Sequence, residues 1–204
     1  MTELIDGAIV VELSTSWIEL PAPGPDAASA LAELVAGLEI PAEEARDRLA
    51  RSLASVLAIT AELAPGERRS HALILAPTTG RVDAILSMRV VMVVPEAYDN
   101  YLAAARALEG RDDVELLNHV VEEVALPLGR AILTRDFIQP VSDGGVPAPA
   151  TERGFLAVFV DGHDFAAEFT VLTQNLALFD DLGSYLMALA SGENPPLIQD
   201  GMTV

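Results

Sequence analysis

Cysteine and lysine are both missing from this chain of 204 residues, so all 12 of its basic residues are arginine. Without cysteine there is no disulfide, no thiolate nucleophile and no cysteine-based zinc site, which suits a reducing compartment. Without lysine there is no Schiff-base chemistry and no phosphate-binding P-loop, whose lysine is obligatory. Positive charge is scarce altogether: 31 acidic residues against 12 basic ones leave a formal charge of -19. A field of that sign repels nucleic-acid phosphates and anionic lipid heads and attracts basic proteins, so the expected partner is a basic protein, with no nucleic acid and no membrane. The same acidity also serves simply to keep an apolar chain in solution. Long apolar runs are absent as well. No uncharged run exceeds 11 residues, as at Phe169 to Phe179 and Leu182 to Gly192, against roughly 18 for a membrane span. Met1 to Val10 hold Glu3 and Asp6 and no arginine, unlike a secretory signal. The expected location is cytoplasmic.

What is present is apolar and regular. Apolar residues make up 51% of the chain and mean hydropathy is +0.35, which excludes intrinsic disorder and leaves a surplus for an interface. The length fits one domain over 1–192, followed by a loosely held tail over 193–204. Ala8 to Leu20 reads as a strand or a pair of short strands, ended by Pro21-Ala22-Pro23-Gly24-Pro25. Asp26 caps a short helix that buries Leu31, Leu34, Val35 and Leu38. A longer helix starts near Pro41, with Glu43 and Glu44 at its positive end. Its apolar stripe is Ala45, Leu49, Leu53, Val56, Leu57 and Leu63, and Pro65-Gly66 ends it.

His71 to Ala76 reads as a buried strand, turned by Pro77-Thr78-Thr79-Gly80 into Val82 to Val94, taken as the longest strand of the protein. Its even positions from Val82 to Val94 are all apolar and predict a core face, and Val91 and Val93 predict that the far end is covered on both sides by a helix or a partner subunit. A short helix then carries Tyr98, Tyr101, Leu102, Ala105 and Leu108 and closes at Gly110. Val114 to Ala125 and Arg130 to Ile138 form a hairpin around Leu126-Pro127-Leu128-Gly129, and Gln139 to Arg153, with three prolines and two glycines, is a surface loop. Gly154 to Val160 and Phe165 to Leu172 flank a turn at Asp161-Gly162, followed by a helical period at Leu178, Phe179, Leu182, Tyr185, Leu186 and Leu189. The order β-α-α-β-β-α-β-β-β-β-α, with tight turns joining its strands, predicts an α+β fold: a largely antiparallel sheet of six or seven strands with helices packed on it.

Trp17-Ile18-Glu19-Leu20-Pro21 near the start and Glu168-Phe169-Thr170-Val171-Leu172-Thr173, leading into Leu178 to Leu189, resemble the ends of small α/β/α proteins of the Mog1/PsbP-like type. The resemblance covers about a quarter of the chain, and the early helix pair between Asp26 and Leu63 departs from the pattern. It implies a non-enzymatic adaptor or assembly factor and transfers no functional residue.

No catalytic, cofactor-binding or metal-binding residue emerges, and no cofactor is expected. Asp161-Gly162-His163-Asp164 is the one place where histidine and carboxylates meet in sequence. It reads either as a cation or acid-base cluster or as a turn in which Asp caps its own backbone and His points to water. Glu122 and Glu123 fall on opposite faces of a strand, Asp112, Asp113 and Glu115 mark a solvated strand entrance, and Asp180 and Asp181 suit a helix dipole. Gly183-Ser184 lacks the second glycine of a nucleophile elbow. Trp17, Tyr98 and Tyr101, as aromatics, and Arg135 are the interface candidates, although core packing is the commoner use of aromatics. These readings favour a non-catalytic protein-interaction module, an adaptor, assembly factor or acidic immunity-type protein, with self-association through an exposed sheet or helix face. The alternative is a small-ligand binder or enzyme that brings His71, His119 or Arg135 together in a pocket between sheet and helices. A structural subunit of a larger assembly is a third reading.

Overall fold

The computed structural model describes residues 2–5, 8–62, 68–107, 114–141, 149–193, 195 and 197. Its elements are β1 (Thr2–Ile5), β2 (Ala8–Val11), β3 (Trp17–Glu19), α1 (Ala27–Gly37), α2 (Glu43–Glu62), β4 (Arg68–Leu73), β5 (Ala84–Met92), α3 (Ala97–Arg106), β6 (Val114–Leu126), β7 (Gly129–Pro140), β8 (Thr151–Val160), β9 (Phe165–Thr173) and α4 (Leu182–Ala190), with a 3-10 turn at Pro77–Thr79. Strands β3 to β9 form one seven-stranded sheet in the order β3-β4-β5-β9-β8-β7-β6, and β1 pairs with β2 alone. Every pairing is antiparallel. The fold is therefore α+β in the expected element order, and the opening stretch resolves into β2 and β3.

Side chains of directly paired residues stand on the same face of a sheet, so the register sorts the core into two sides. Ala72 and Ile85 are a pair and lie under α1 and α2, with Leu31, Val35, Leu49 and Leu53. Ile132 belongs to the same face and packs under Tyr98 and Leu102 of α3. Leu73, Leu86, Leu133, Leu156 and Phe169 point the other way, into the main core with Leu182, Leu186 and Leu189 of α4. The result is three layers, with α1, α2 and α3 on one face and α4 on the other. The α2 stripe forms as its 3.6-residue period dictates, with Ala45, Leu49 and Leu53 fully buried.

Three readings are corrected. The longest strand is β6, with 13 residues, whereas β5 spans 9, because the chain from Val82 to Asp83 turns before pairing starts and Val93 to Pro95 leads into α3. Nor is the even face of β5 core along its whole length. Ala84 and Leu86 are buried, but Val90, Met92 and Val94 are 45%, 80% and 61% exposed. A nine-residue helix is about 13 Å long, whereas seven strands span roughly 29 Å, so α4 leaves part of its face bare. That helix also starts later than the period from Leu178 suggests. Asp181 is its N-cap, accepting from the Ser184 amide at 2.6 Å, and Leu178 and Phe179 are buried in the turn before it.

The α4 layer approaches the sheet over Gly154. A Cβ there would lie 2.7 Å from Leu186 Cδ1 and 2.9 Å from Leu182 Cδ2, and both leucines are buried. Gly154→Ala is expected to lower stability by about 1–3 kcal/mol through overpacking, read from urea unfolding midpoints. Of the stretch 193–204, Leu197 is buried in the α4 core. Residues 194, 196 and 198–204 lie outside the described residues. So do 142–148 of the loop between β7 and β8, Asp112 and Asp113, and the expected helix ends at Leu63, Pro65-Gly66, Leu108 and Gly110.

Candidate protein-interaction site

The exposed end of β5 meets two features singled out in the sequence. Val91, Ala166, Phe159 and Arg130 stand in one row across β5, β9, β8 and β7. Tyr98, in the first turn of α3, packs edge-on against Phe159 with ring centroids 5.1 Å apart, and Tyr101 does the same at 5.4 Å. The Arg130 guanidinium lies over the Tyr98 ring at 3.6 Å. The Asp161 to Asp164 turn closes the end of the sheet. Its Asp164 carbonyl accepts from the Val93 amide at 3.0 Å, and the Asp161 amide donates to Leu128 at 2.9 Å. Gly162 supplies the positive φ of 76° that the turn needs.

Together these elements line a groove of about 210 Å³. Its walls are Val93, Val94, Pro95, Tyr98 and Phe159, with Arg130 on one side and the Asp161 to Phe165 turn on the other. Asp161, His163 and Asp164 are exposed, as are Glu96 and Asp99 just along the chain. The His163 ring lies against Phe165, 5.1 Å between centroids. Apolar walls with a carboxylate rim suit an apolar side chain carried beside a basic one.

The four interface candidates divide. Tyr98 lines the groove and Tyr101 supports its floor through Phe159. Trp17 lies in the core on the α4 face, 6% exposed, with its Nε1 donating to the Tyr185 hydroxyl at 3.0 Å. Arg135 also stands on the α4 face, where it pairs with Asp181 and lies 3.6 Å from Glu122. The strand reading of Glu122 and Glu123 holds, since Glu123 turns the other way to accept from Tyr98 at 3.0 Å and Arg106 at 2.8 Å.

The three residues considered for a catalytic pocket do not converge. His71 and Arg135 share a row on the α4 face but sit four strands apart, roughly 19 Å, and His119 is on the opposite face. Burial holds the His71 imidazole below its usual range, and its Nδ1 has no hydrogen-bond partner among the described residues. Among the described residues no three His, Asp or Glu side chains are grouped to hold a metal ion.

Two buried polar clusters escaped the sequence reading. Glu168, 5% exposed, pairs with Arg89 and accepts from the Tyr101 hydroxyl at 2.6 Å. Asp136, fully buried, accepts from Arg153 Nε at 2.7 Å and lies 2.5 Å from His119 Nδ1. His119 Nε2 is 2.9 Å from the Ala105 carbonyl at the end of α3. Both clusters fasten α3, and therefore the groove wall, to the sheet. The one available signal was the lone charge inside an apolar strand at Glu168.

Burial, then the hydrogen bond to Glu168 and its charge, push the Tyr101 phenol up to about 12, against about 10 for a free tyrosine. Between those values the folded chain keeps a proton that the unfolded chain has lost. This contribution to stability is complete below about pH 10 and declines as pH rises towards about 12. Urea midpoints measured from about pH 9 to about pH 11 are expected to fall, and Tyr101→Phe to remove that part of the fall.

No family model and no curated protein matches the chain. Among solved structures the chain is similar to the Ran-binding protein Mog1p of Saccharomyces cerevisiae, at 12% identity over 68% of this chain and 74% of that one, with a TM-score of 0.30. This is a weak resemblance of fold, and no inference about partner or site rests on it. Among the described residues no helix is long and apolar enough to cross a membrane.

Proposed function

We propose that the chain is a non-catalytic protein-interaction module, an adaptor, assembly factor or acidic immunity-type protein of the cytoplasm, that captures a protein partner at the groove beside the β5 end. The observation that carries this reading is the exposure of Val94, at 61%, in a groove whose other apolar walls are Val93, Pro95, Tyr98 and Phe159. Contiguous exposed apolar surface with a polar rim marks interaction sites. Tyr98 and Tyr101 fit this role as supports of the groove. The partner segment carries an apolar anchor for the groove and basic residues for Asp161 and Asp164, in keeping with the net charge of -19. A catalytic pocket has less support, because His71, His119 and Arg135 lie apart.

A rim of carboxylates acts over a Debye length of about 10 Å at 0.1 M salt. Binding of the basic partner is therefore expected to weaken steeply as salt rises, mainly through a slower association rate. A salt series on the purified pair by surface plasmon resonance measures this. An affinity unchanged from low to high salt contradicts the electrostatic part of the reading.

A further inference from the structure

One side of the sheet ends in β6, whose 13 residues pair only with β7 among the described strands. The opposite edge, β3, has three residues. A long free edge offers unpaired amides and carbonyls to another strand, and proteins usually guard it with charge or a bulge. Here the bulge lies towards the start, between Leu116 and Asn118, which leaves a regular ladder from Asn118 onward. The central carboxylates are already engaged by their own subunit. Glu123 is held by Arg106 and Tyr98 on one face, and Glu122 lies 3.6 Å from Arg135 on the other. The charges that would repel a second acidic strand are thus drawn onto the two faces and away from the edge.

We propose that β6 pairs antiparallel with β6 of a second copy of this chain, about a two-fold axis at Val121, joining two seven-stranded sheets into one. The register follows from three constraints. A two-fold perpendicular to the sheet sets each residue opposite one of the same face. Centring on Glu122 or Glu123 would bring identical carboxylates together, which is destabilising. Centring on Val120 or earlier runs the ladder into the bulge, and centring on Val124 or later shortens it against the strand end at Leu126. At Val121 the ladder is regular from Asn118 to Val124, with Val121 opposite itself, Glu123 opposite His119 and Glu122 opposite Val120. The pairing edge contributes no lining residue to the groove, which is formed at the far ends of β5, β9 and β8 with Arg130 of β7. Each copy carries a charge of -19, so screening favours the dimer and self-association rises with salt, the reverse of the dependence expected for a basic partner.

The absence of cysteine makes the test clean. Val121→Cys and, as control, Ala103→Cys on the exposed side of α3 are treated with a short bis-maleimide in the full-length chain. Val121→Cys is expected to cross-link to a dimer about tenfold faster or more, because pairing raises the local thiol concentration. Sedimentation of the unmodified protein is expected to show a dimer fraction that grows with salt, and Val120→Glu, which sets a carboxylate opposite Glu122 of the second copy and avoids the Val121 contact with the α3 cluster, to abolish it. Equal cross-linking of the two cysteine variants, or an unmodified chain that stays monomeric at high salt, overturns the proposal.

Discussion

Asp136→Ala is expected to destabilise the protein by about 3 kcal/mol, since removing one partner of a buried ion pair leaves the others uncompensated. Asp136 has no exposed surface and holds both Arg153 and His119. Its loss strands a guanidinium and an imidazole on a half-covered face. The lower end of the usual range applies because Arg153 remains partly open to water. His119 also reaches the Ala105 carbonyl, so the end of α3 should loosen with it. Urea unfolding measures the first effect, and faster amide exchange over 101–107 measures the second. A loss under about 1 kcal/mol would mean that the cluster is solvated and contributes little.

Val94→Asp is expected to weaken partner binding by about 2 kcal/mol or more, roughly thirtyfold, while leaving folding within about 0.5 kcal/mol. The asymmetry follows from exposure. Val94 is 61% exposed in the isolated chain, so little folding energy is lost, yet it lines the groove that the anchor must enter. A carboxylate placed there is desolvated on binding without a partner. Titration calorimetry beside urea unfolding separates the two effects. Equal losses in both would assign Val94 to the fold instead.

Much of the fold was legible because it rests on local signals. The α2 stripe from Ala45 to Leu57 repeats at the helical period, and Gly129 and Gly162 mark the two hairpin turns with positive φ. What stayed hidden depends on pairing between distant segments. Arg89 meets Glu168 across the β5–β9 register, and nothing local ties residues so far apart in the chain. The exposed end of β5 was hidden for a related reason. Its apolar alternation to Val94 reads as core, and only the reach of α4, set by the Asp181 cap, shows that the far end has no cover. The candidate site was half legible. The Asp161 to Asp164 turn and Tyr98 stood out, but their meeting around Phe159 required the order of β5, β9, β8 and β7. Trp17 stood out equally and turned inward, because its indole N–H finds the Tyr185 hydroxyl inside the core.

Hydrogen exchange on the protein, free and saturated with its purified partner at low salt, tests the central claim most directly. Slower exchange is expected at the amides of 90–94 and 161–165, with α1 and α2 unchanged, because the partner covers the β5 end and the adjoining turn. Binding that persists while those amides exchange at the free rate would contradict the placement of the interaction site.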